Sequence, residues 1–529
     1  MLWAGPAAEN ELELGRKLYL EGQLPNGEII TAKVRGDIEL TGKQVICGTC
    51  HRRSGMGSSE GDQVIPAIAG NMIFNPLRLP TSSDPLAPTQ RLAYTEATLK
   101  RAIRDGIDSN GRPLDPLMPR YPLSDRELDH LIAYLKTLSQ EFSPGVDDKD
   151  IHFATIIAGD VPEKQRKALI DVMRVYVEQK NSETRHETFR AENAPWHKKW
   201  LFEPYRKWVM HVWELQGPEA SWGGQLANLY REQPVFAVLS GVGEGSWKPV
   251  HDFCQSQKLP CLFPTTELPV INEDDFYPIY LSKGMTLEGE LIDLHLRDQR
   301  IEAPLVQVYP QGDRKAATAA RSLLQARGDK PIRSIEWKRE TTRPSAEFWK
   351  GVLRDLGDAG LVLWMSEEQL THLWPLLERK SATAARIYLS TSLFGTRPQP
   401  VPAGLRERVY LTSTRELPGG ISRLLLRSTG WFRAKNIYAP DAREVQANAY
   451  LALKVAGDAL IHIRGYFFRD YLIERIEHTV DSVPYTSVYP RISMAPEQRF
   501  AAKGGYIARF ANSGKGELVA VSDWLIPQH

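Results

Sequence analysis

Two cysteines and a histidine near the start of the chain have a spacing that suits three kinds of chemistry. Cys47, Cys50 and His51 form C-x-x-C-H within "VICGTCHRRSGMG". A zinc site needs four ligands, and the remaining cysteines, Cys254 and Cys261, are not spaced as a second pair. A redox dithiol follows a strand at the start of a helix, whereas the surrounding sequence is helical and loop-like. The adjacent histidine favours the third chemistry, a covalently attached haem (heme c) with His51 as an iron ligand.

A second axial ligand to the iron has to come from further along the chain. Met56 and Met72 lie close behind the motif, where the chain still has to pass around the haem edge. Met118 lies in "PLMPRYPLSD", a loop stiffened by prolines just before a helix. A thioether ligand favours ferrous iron and raises the potential, which suits an electron carrier. We therefore predict that His51 and Met118 bind the iron.

Three helices would frame this site. "ENELELGRKLYLEG" places Leu14 and Leu18 on one face, and "TEATLKRAIRDGID" ends at a glycine stop, Gly106. In "PLSDRELDHLIAYLKTL", Ser124 and Glu127 form a capping box ahead of an apolar stripe. Long loops separate these helices, and such an arrangement needs a further group to fill its centre. A haem would fill it.

These motifs together resemble a class I cytochrome c domain, of the kind that serves bacterial dehydrogenases as an electron-transfer subunit. The resembling stretches run from "GRKLY" through "CGTCH" and "IPAIAG" to "LKTL", over nearly all of residues 10–140. The resemblance implies that Gly15 and Tyr19 pack on the last helix near Tyr134. It also implies that the carbonyl of Pro66 orients the ring of the iron-binding histidine. The insertion "PNGEIITAKVRGDIELTGKQ" predicts a surface hairpin.

The length and the composition of the chain indicate a folded protein with more than one domain. A chain of 529 residues is too long for one core, and its 25% charged and 42% hydrophobic residues are ordinary for globular proteins. The net charge of +1 gives no bulk attraction to nucleic acid. We find no apolar run of 18 or more residues, so no membrane span is predicted. "SQEFSPGVDDKD" predicts a boundary, with a mono-haem domain at 1–143, a linker at 144–150 and a second domain at 151–529.

The second domain alternates between strand and helix patterns. Buried-strand runs such as "IHFATIIAG" and "PVFAVLSG" alternate with amphipathic stretches such as "KAATAARSLLQAR". Repeated alternation predicts parallel sheets covered by helices, arranged as two lobes. The predicted fold class is therefore multidomain, with an all-α cytochrome c domain followed by a two-lobed α/β domain.

This second part resembles the type 1 periplasmic binding proteins, the family of branched-chain amino-acid receptors. The resemblance lies in "QPVFAVLSGVGEGSWKPVHDFCQSQKLPCLFPTTELP" and in the crossing "FYPIYLSKGMTLEGELIDLHL". It implies that Ser246 and Thr265 or Thr266 hold a ligand carboxylate. From lobe two it implies contributions by Tyr309 and Gln311, with Trp364 as a further candidate. The alternative is that these hydroxyls only cap helices. "VYPQGDRKAA" lacks the Asp-Tyr-Gly of the family, which argues against an amino-acid ligand.

The compartment follows from the haem chemistry. In bacteria, c-type haem is attached outside the cytoplasm, which places the protein in the oxidising periplasm. Cys254 and Cys261 bracket a turn between a helix and a strand, and in that compartment a disulfide between them is favoured.

Two functions compete for the whole chain. The first is a periplasmic mono-haem electron-transfer protein that exchanges electrons with a dehydrogenase, an oxidase or another cytochrome. Its solute-binding-like module would dock a partner or bind a small molecule. The alternative is a solute receptor of the ABC-transporter type, or a ligand sensor, with an accessory haem. An enzyme would need an open iron site, and because Met118 would fill it, we expect an electron carrier rather than a catalyst.

Overall fold

The chain folds into two compact units in the computed structural model. The model describes residues 6–60, 63–79, 89–186, 189, 193, 205–272, 274–379, 385–463, 465–511 and 517–527. The first unit comprises Met1–Ser143 together with Ile463–Glu474, and the second comprises Pro144–His462 and Arg475–His529. The first unit therefore includes a short stretch of chain from far downstream.

Among its described residues up to Ser143, the first unit contains the three helices that the sequence predicts around the haem motif and two shorter ones that it does not. They are α1 (Pro6–Leu20), α2 (Cys47–His51), α3 (Gly70–Ile73), α4 (Glu96–Asp105) and α5 (Asp125–Leu135). The predicted capping box at Ser124 and Glu127 is confirmed, because the side chain of each accepts the backbone N–H of the other. Gly106 ends α4 in the left-handed conformation, with φ of 71°, as its place after the apolar pattern predicts.

Short antiparallel ladders join these helices. They pair β1 (Thr31–Val34) with β2 (Ile38–Thr41), β3 (Ser58–Glu60) with β4 (Gln63–Ile65), and β5 (Leu77–Leu79) with β6 (Thr89–Arg91). The first ladder confirms the hairpin predicted for the insertion. The other two are too short to leave an alternating pattern in the sequence, and helical periodicity did not predict them.

The first and last helices of this unit cross at a glycine. A Cβ atom on Gly15 would lie 2.1 Å from the carbonyl oxygen of His130 and 2.8 Å from the Cβ of Tyr134. The rings of Tyr19 and Tyr134 have their centroids 5.5 Å apart. The packing expected at Gly15 and Tyr19 is thus confirmed. The buried core around this crossing includes Leu18, Leu99, Ile103, Tyr121, Leu128, Leu131, Ile132 and Leu135.

Replacing Gly15 by alanine is expected to lower the free energy of unfolding of the first unit by about 2 kcal/mol. The added methyl group would overlap a backbone carbonyl, which a side-chain rotation cannot relieve. Glu13→Ala, on the exposed face of the same helix, is the control and should change stability by less than about 0.5 kcal/mol. Urea unfolding followed by haem absorbance measures both, and equal midpoints for the two variants would contradict the expectation.

Lobe one of the second unit is built on a five-stranded parallel sheet. Its strands are β7 (Asp150–Ala158), β8 (Lys207–Leu215), β9 (Ala237–Gly243), β10 (Cys261–Leu262) and β11 (Pro278–Ile279), in the spatial order β11-β10-β9-β7-β8. The intervening helices are α6 (Glu163–Glu183), α7 (Trp222–Glu232) and α8 (Lys248–Ser256). The last six residues of β7 are all buried, as expected for a central strand covered on both faces.

Lobe two is built on a seven-stranded mixed sheet. Its strands are β12 (Leu305–Pro310), β13 (Ile332–Trp337), β14 (Gly360–Leu363), β15 (Ile387–Ser390), β16 (Val409–Ser413), β17 (Tyr506–Phe510) and β18 (Leu518–Ala520), in the order β13-β12-β14-β15-β16-β17-β18. The first five are parallel, and the last two run antiparallel at one edge. The alternation of strands and helices thus predicted two sheets correctly.

The remaining helices follow the crossing into lobe two. They are α9 (Met285–Asp298), α10 (Arg314–Arg327), α11 (Ala346–Arg354), α12 (Trp374–Glu378), α13 (Thr391–Phe394), α14 (Pro418–Leu424), α15 (Leu426–Ala434), α16 (Arg443–Ile463) and α17 (Arg469–Ser482). Among the residues that the structure describes, no helix combines the length and the apolar character needed to cross a bilayer.

A disulfide joins α8 to β10 in lobe one. Cys254 and Cys261 are both buried, with their Cα atoms 6.2 Å apart. The bridge confirms the predicted pairing and closes the turn "QSQKLP" between the helix and the strand.

Removing this bridge with Cys254→Ser and Cys261→Ser is expected to lower the free energy of unfolding of the second unit by about 2 kcal/mol, because the unfolded chain regains the freedom that the bridge removed. Urea unfolding followed by tryptophan fluorescence measures the loss. A reductant should reproduce it in the wild type and leave the variant unchanged. If the reductant had no effect on the wild type, the bridge would not contribute to stability.

Candidate haem site and interlobe cleft

The C-x-x-C-H motif itself forms the short helix α2. Residues three and four apart share one face of a helix, so Cys47, Cys50 and His51 project from the same side. Cys47 is half-buried, Cys50 is exposed and His51 is buried. The helix ends at Arg52, whose φ of 64° turns the chain away. Local geometry therefore brings two thiols and one imidazole together.

The ring of His51 is oriented by a backbone carbonyl. Its Nδ1 atom lies 3.0 Å from the carbonyl oxygen of Pro66, which is the contact that the cytochrome c resemblance implies. Burial lowers the pKa of His51, so the imidazole is neutral, the form that binds metals. With Nδ1 donating to the carbonyl, the lone pair is on Nε2, the nitrogen available to an iron atom.

The loop after α2 is held against the segment 65–68, which contains Pro66. The N–H of Gly57 donates to the carbonyl of His51 at 3.1 Å, and the carbonyl of Gly55 accepts from Ile68 at 2.7 Å. A Cβ atom at Gly57 would lie 2.2 Å from the carbonyl oxygen of Ile65, so only glycine permits this approach.

Tyr121 is a part of the site that our sequence analysis missed. Its hydroxyl, in "PRYPL", donates to the carbonyl of Val45 at 2.7 Å, two residues before the first motif cysteine. An aromatic residue between two prolines could have drawn attention to it, because its position is constrained on both sides. Tyr121 ties the loop that carries Met118 to the start of α2.

The three candidate methionines all pack on the core of the first unit. Met56, Met72 and Met118 are half-buried and contact the same apolar cluster as Cys47. The loop that carries Met118 is held by Arg120, whose guanidinium donates to the carbonyl of Met118 and also to that of Leu114. The choice of Met118 as the iron ligand stays a prediction.

This donor set fits a covalently attached haem. Helix α2 supplies two thiols and a neutral imidazole, and three thioether sulfurs pack with Cys47 on one core, which together provide the chemistry that haem c requires. Cys47 and Cys50 would hold the porphyrin, and His51 with Met118 would bind the iron.

The sequence comparison agrees with this chemistry. Residues 41–139 match the sequence model of the family described as cytochrome c. The first unit therefore contains a cytochrome c domain, whose family carries covalently bound haem c. No curated protein sequence matches the chain.

Solved structures similar to this chain are solute-binding proteins. A branched-chain amino acid ABC transporter from Thermus thermophilus with bound valine is 10% identical, covers 72% of this chain and 97% of its own, and has a TM-score of 0.51. A fatty acid ABC transporter substrate-binding protein from Thermomonospora curvata is 16% identical over 73% and 95%, with a TM-score of 0.48. The leucine binding protein LivK from Thermotoga maritima is 12% identical over 71% and 99%, with a TM-score of 0.47. Of these three structures, the Thermus one has a TM-score above 0.5, and the fold of the second unit is assigned from it. That fold is the two-lobed type 1 periplasmic-binding-protein fold.

The structure gives the predicted ligand residue Ser246 two partners within the protein. Its hydroxyl accepts the N–H of Lys248 at 3.2 Å, and its own N–H donates to Oε1 of Glu219 at 3.0 Å. The backbone N–H of Ser246 therefore does bind a carboxylate, and that carboxylate is the side chain of Glu219 in the same chain.

The two predicted threonines also have partners within the protein. Oγ1 of Thr265 accepts from the side-chain amide of Asn448 at 3.0 Å, and Oγ1 of Thr266 accepts the N–H of Leu268 at 3.2 Å. Neither contact is the helix cap of the alternative, because Thr265 accepts from a side-chain amide and Leu268 lies outside the helices. Their role toward a ligand stays a prediction.

Of the residues predicted for lobe two, Tyr309 and Trp364 lie in or against its core, whereas Gln311 is exposed. Tyr309 is half-buried and packs on the cluster formed by α9, α10 and β14. Trp364 is fully buried, and its indole N–H donates to Oε1 of Gln307 at 3.0 Å. Trp364 thus has a structural partner that satisfies its only polar group.

A cleft of about 640 Å³ lies between the two lobes. Its lining includes Asp160, Glu219, Trp222, Glu244 and Gly245 from lobe one and Arg314 from lobe two.

Ion pairs cross this cleft from lobe to lobe. Nη1 of Arg314 lies 2.5 Å from both carboxylate oxygens of Glu219, and Nζ of Lys315 lies 3.5 Å from Oε2 of Glu244. The Arg314 hydrogen bond lowers the pKa of Glu219, which keeps that carboxylate ionised.

Proposed function

We propose that this protein is a periplasmic mono-haem c-type cytochrome that carries single electrons between partner proteins. One observation carries the proposal. Helix α2 places Cys47, Cys50 and His51 on one face, and Pro66 orients the histidine ring through Nδ1. The match of residues 41–139 to the cytochrome c family supports it.

The bound haem would supply a one-electron couple, and the protein residues would set its properties. His51, oriented by Pro66, provides a neutral nitrogen ligand. Met118 provides a soft thioether, which raises the potential relative to two nitrogen ligands. If His51 and Met118 both bind the iron, substrates would be excluded from it, so we propose a carrier and not an enzyme.

The redox partner is proposed to be a dehydrogenase, an oxidase or another cytochrome. Because Cys50 is exposed, one attachment point of the haem lies at the surface of the first unit, where a partner protein can approach. The disulfide of lobe one and the cytochrome c family both support the periplasm as the compartment.

For the second unit we propose a docking module in place of a transport receptor. The backbone N–H of Ser246, assigned by the resemblance to a ligand carboxylate, is used by Glu219. Arg314 of lobe two binds the same carboxylate, so an internal group makes contacts that a ligand would make. A module closed in this way offers its outer surface to a partner, and its fusion to the cytochrome raises the local concentration of that partner.

The second candidate function is a solute receptor or ligand sensor with an accessory haem. Two observations favour it: the interlobe cleft of about 640 Å³, and the valine bound in the similar Thermus structure. A pocket of this volume falls in the range of small-molecule sites.

Spectroscopy of the full-length protein tests the carrier proposal. Produced in a host that attaches c-type haem, the protein should titrate reversibly as a single one-electron couple. Its ferric and ferrous spectra should be low-spin, and the ferrous form should not bind CO. High-spin iron that binds CO would contradict a carrier with two protein ligands.

Isothermal titration calorimetry distinguishes a docking module from a solute receptor. Titrated with valine, leucine and isoleucine, the wild-type protein should show no binding at micromolar concentrations, because Glu219 uses the Ser246 N–H. Glu219→Ala removes that carboxylate while retaining the cleft, and serves as the comparison. Micromolar binding by the wild type would favour the receptor.

A further inference from the structure

The first unit includes a segment from far downstream in the sequence. This segment begins at the last residue of α16 and ends within α17. In this segment, Ile463–Glu474, the carbonyl of Phe467 accepts the N–H of Ser143 at 3.0 Å. The N–H of Arg469 donates to Oγ of Ser143, also at 3.0 Å. The rings of Phe142 and Phe467 meet edge to face, 5.5 Å apart. Backbone hydrogen bonds and an aromatic contact therefore hold the segment in the unit.

The last residue of this segment binds the loop that follows the haem motif. Oε1 of Glu474 accepts the N–H of Ser54 at 2.7 Å, and Oε2 accepts the Ser54 hydroxyl at 2.5 Å. Ser54 is 2% exposed and Glu474 is 9% exposed, although 420 positions separate them. With Glu474 ionised, both contacts are charge-assisted hydrogen bonds, and the burial of the two residues strengthens them.

Ser54 in turn organises the rest of the loop. Its hydroxyl oxygen accepts the N–H of Met56 at 3.1 Å, and its carbonyl accepts the hydroxyl of Ser139 at 2.7 Å. Three residues further on, Gly57 donates to the carbonyl of His51. The Glu474 carboxylate thus anchors the turn that follows His51, the proposed iron ligand.

We propose that Glu474 is a positioning residue of the haem site, which holds the loop after His51 and lowers the midpoint potential of the bound haem. The inference rests on the proposed haem at Cys47, Cys50 and His51. Ferric haem carries one more positive charge than ferrous haem, so a buried carboxylate near the motif favours the oxidised state. Neither the C-x-x-C-H spacing nor the cytochrome c resemblance implies a carboxylate at this place.

The test compares Glu474→Gln with Glu474→Asp in the full-length protein. Glutamine retains the shape and removes the charge, whereas aspartate retains the charge on a shorter side chain. Glu474→Gln is expected to raise the ratio of reduced to oxidised protein about tenfold at a fixed ambient potential. For a one-electron couple this corresponds to a rise of about 59 mV in the midpoint potential. Glu474→Asp should move the potential by less than half as much.

Asp470→Asn provides the matched control. Asp470 lies in the same segment and pairs with Arg53, its Oδ2 atom 3.3 Å from Nε, but both side chains are partly exposed. Solvent screens this pair, so the control should change the ratio by no more than about twofold.

Ser54→Ala gives a second, independent variant. Losing the hydroxyl leaves the carboxylate charge less dispersed, so the midpoint potential should fall, opposite in sign to Glu474→Gln. Shifts of the same sign in the two variants would point to a structural role only and overturn the inference. An unchanged potential in Glu474→Gln with haem attached would do the same. Absence of covalent haem from the wild type would instead overturn the proposed function.

Discussion

Replacing Met118 by alanine is expected to lower the midpoint potential of the bound haem by on the order of 100 mV, within the ~0.8 V range that axial ligands span. Loss of the soft thioether removes the ligand that stabilises ferrous iron. The open position should then bind CO in the ferrous state. Potentiometric titration and CO difference spectra measure the two effects together.

Met56→Ala and Met72→Ala are the matched controls for this experiment. Both methionines pack half-buried on the same core as Met118, so each truncation removes similar apolar contacts. If the Met118 loop supplies the ligand, neither control opens the iron to CO. If Met56→Ala or Met72→Ala shifted the midpoint potential more than Met118→Ala did, that methionine would be the ligand and the proposal would be contradicted. Hydrogen bonds from Arg120 to the carbonyls of Met118 and Leu114 hold the loop that carries Met118, so Met118→Ala should leave the backbone of this loop in place.

Replacing both Cys47 and Cys50 by serine is expected to abolish covalent haem attachment. The two thioethers are the only covalent bonds proposed between the protein and the porphyrin. Acidified organic solvent should then extract all haem from the variant and none from the wild type, and intact mass should differ by one haem. Each single variant should retain one thioether and part of its haem.

The second cysteine pair supplies the control for this prediction. Cys254→Ser with Cys261→Ser also removes two cysteines, but these form the buried disulfide of lobe one. This variant should lose stability in the second unit and keep its covalent haem. Covalent haem in the Cys47/Cys50 variant, or a mass increase of two haems in the wild type, would contradict a single haem at α2.

The sequence by itself determined the features that depend on neighbours along the chain. The C-x-x-C-H spacing defines a helical face because residues three and four apart align on any helix. The capping box at Ser124 and the glycine stop at Gly106 depend on hydrogen bonds within one turn. The hairpin of the insertion and the alternation of strands with helices in the second unit follow from patterns a few residues long.

Only the tertiary structure decided which distant groups meet. Glu474 binds Ser54 across 420 positions, and no local pattern marks either residue as part of a haem site. Likewise, Glu219 reaches the N–H of Ser246, and Arg314 reaches Glu219 from the other lobe. Such contacts depend on how whole helices and strands pack against each other. A glutamate in a sequence gives no sign of whether its carboxylate will face water, a cation or a buried backbone N–H. The sequence therefore supplied the residues that we propose as haem ligands, and the fold determined which charges surround the C-x-x-C-H loop and the interlobe cleft.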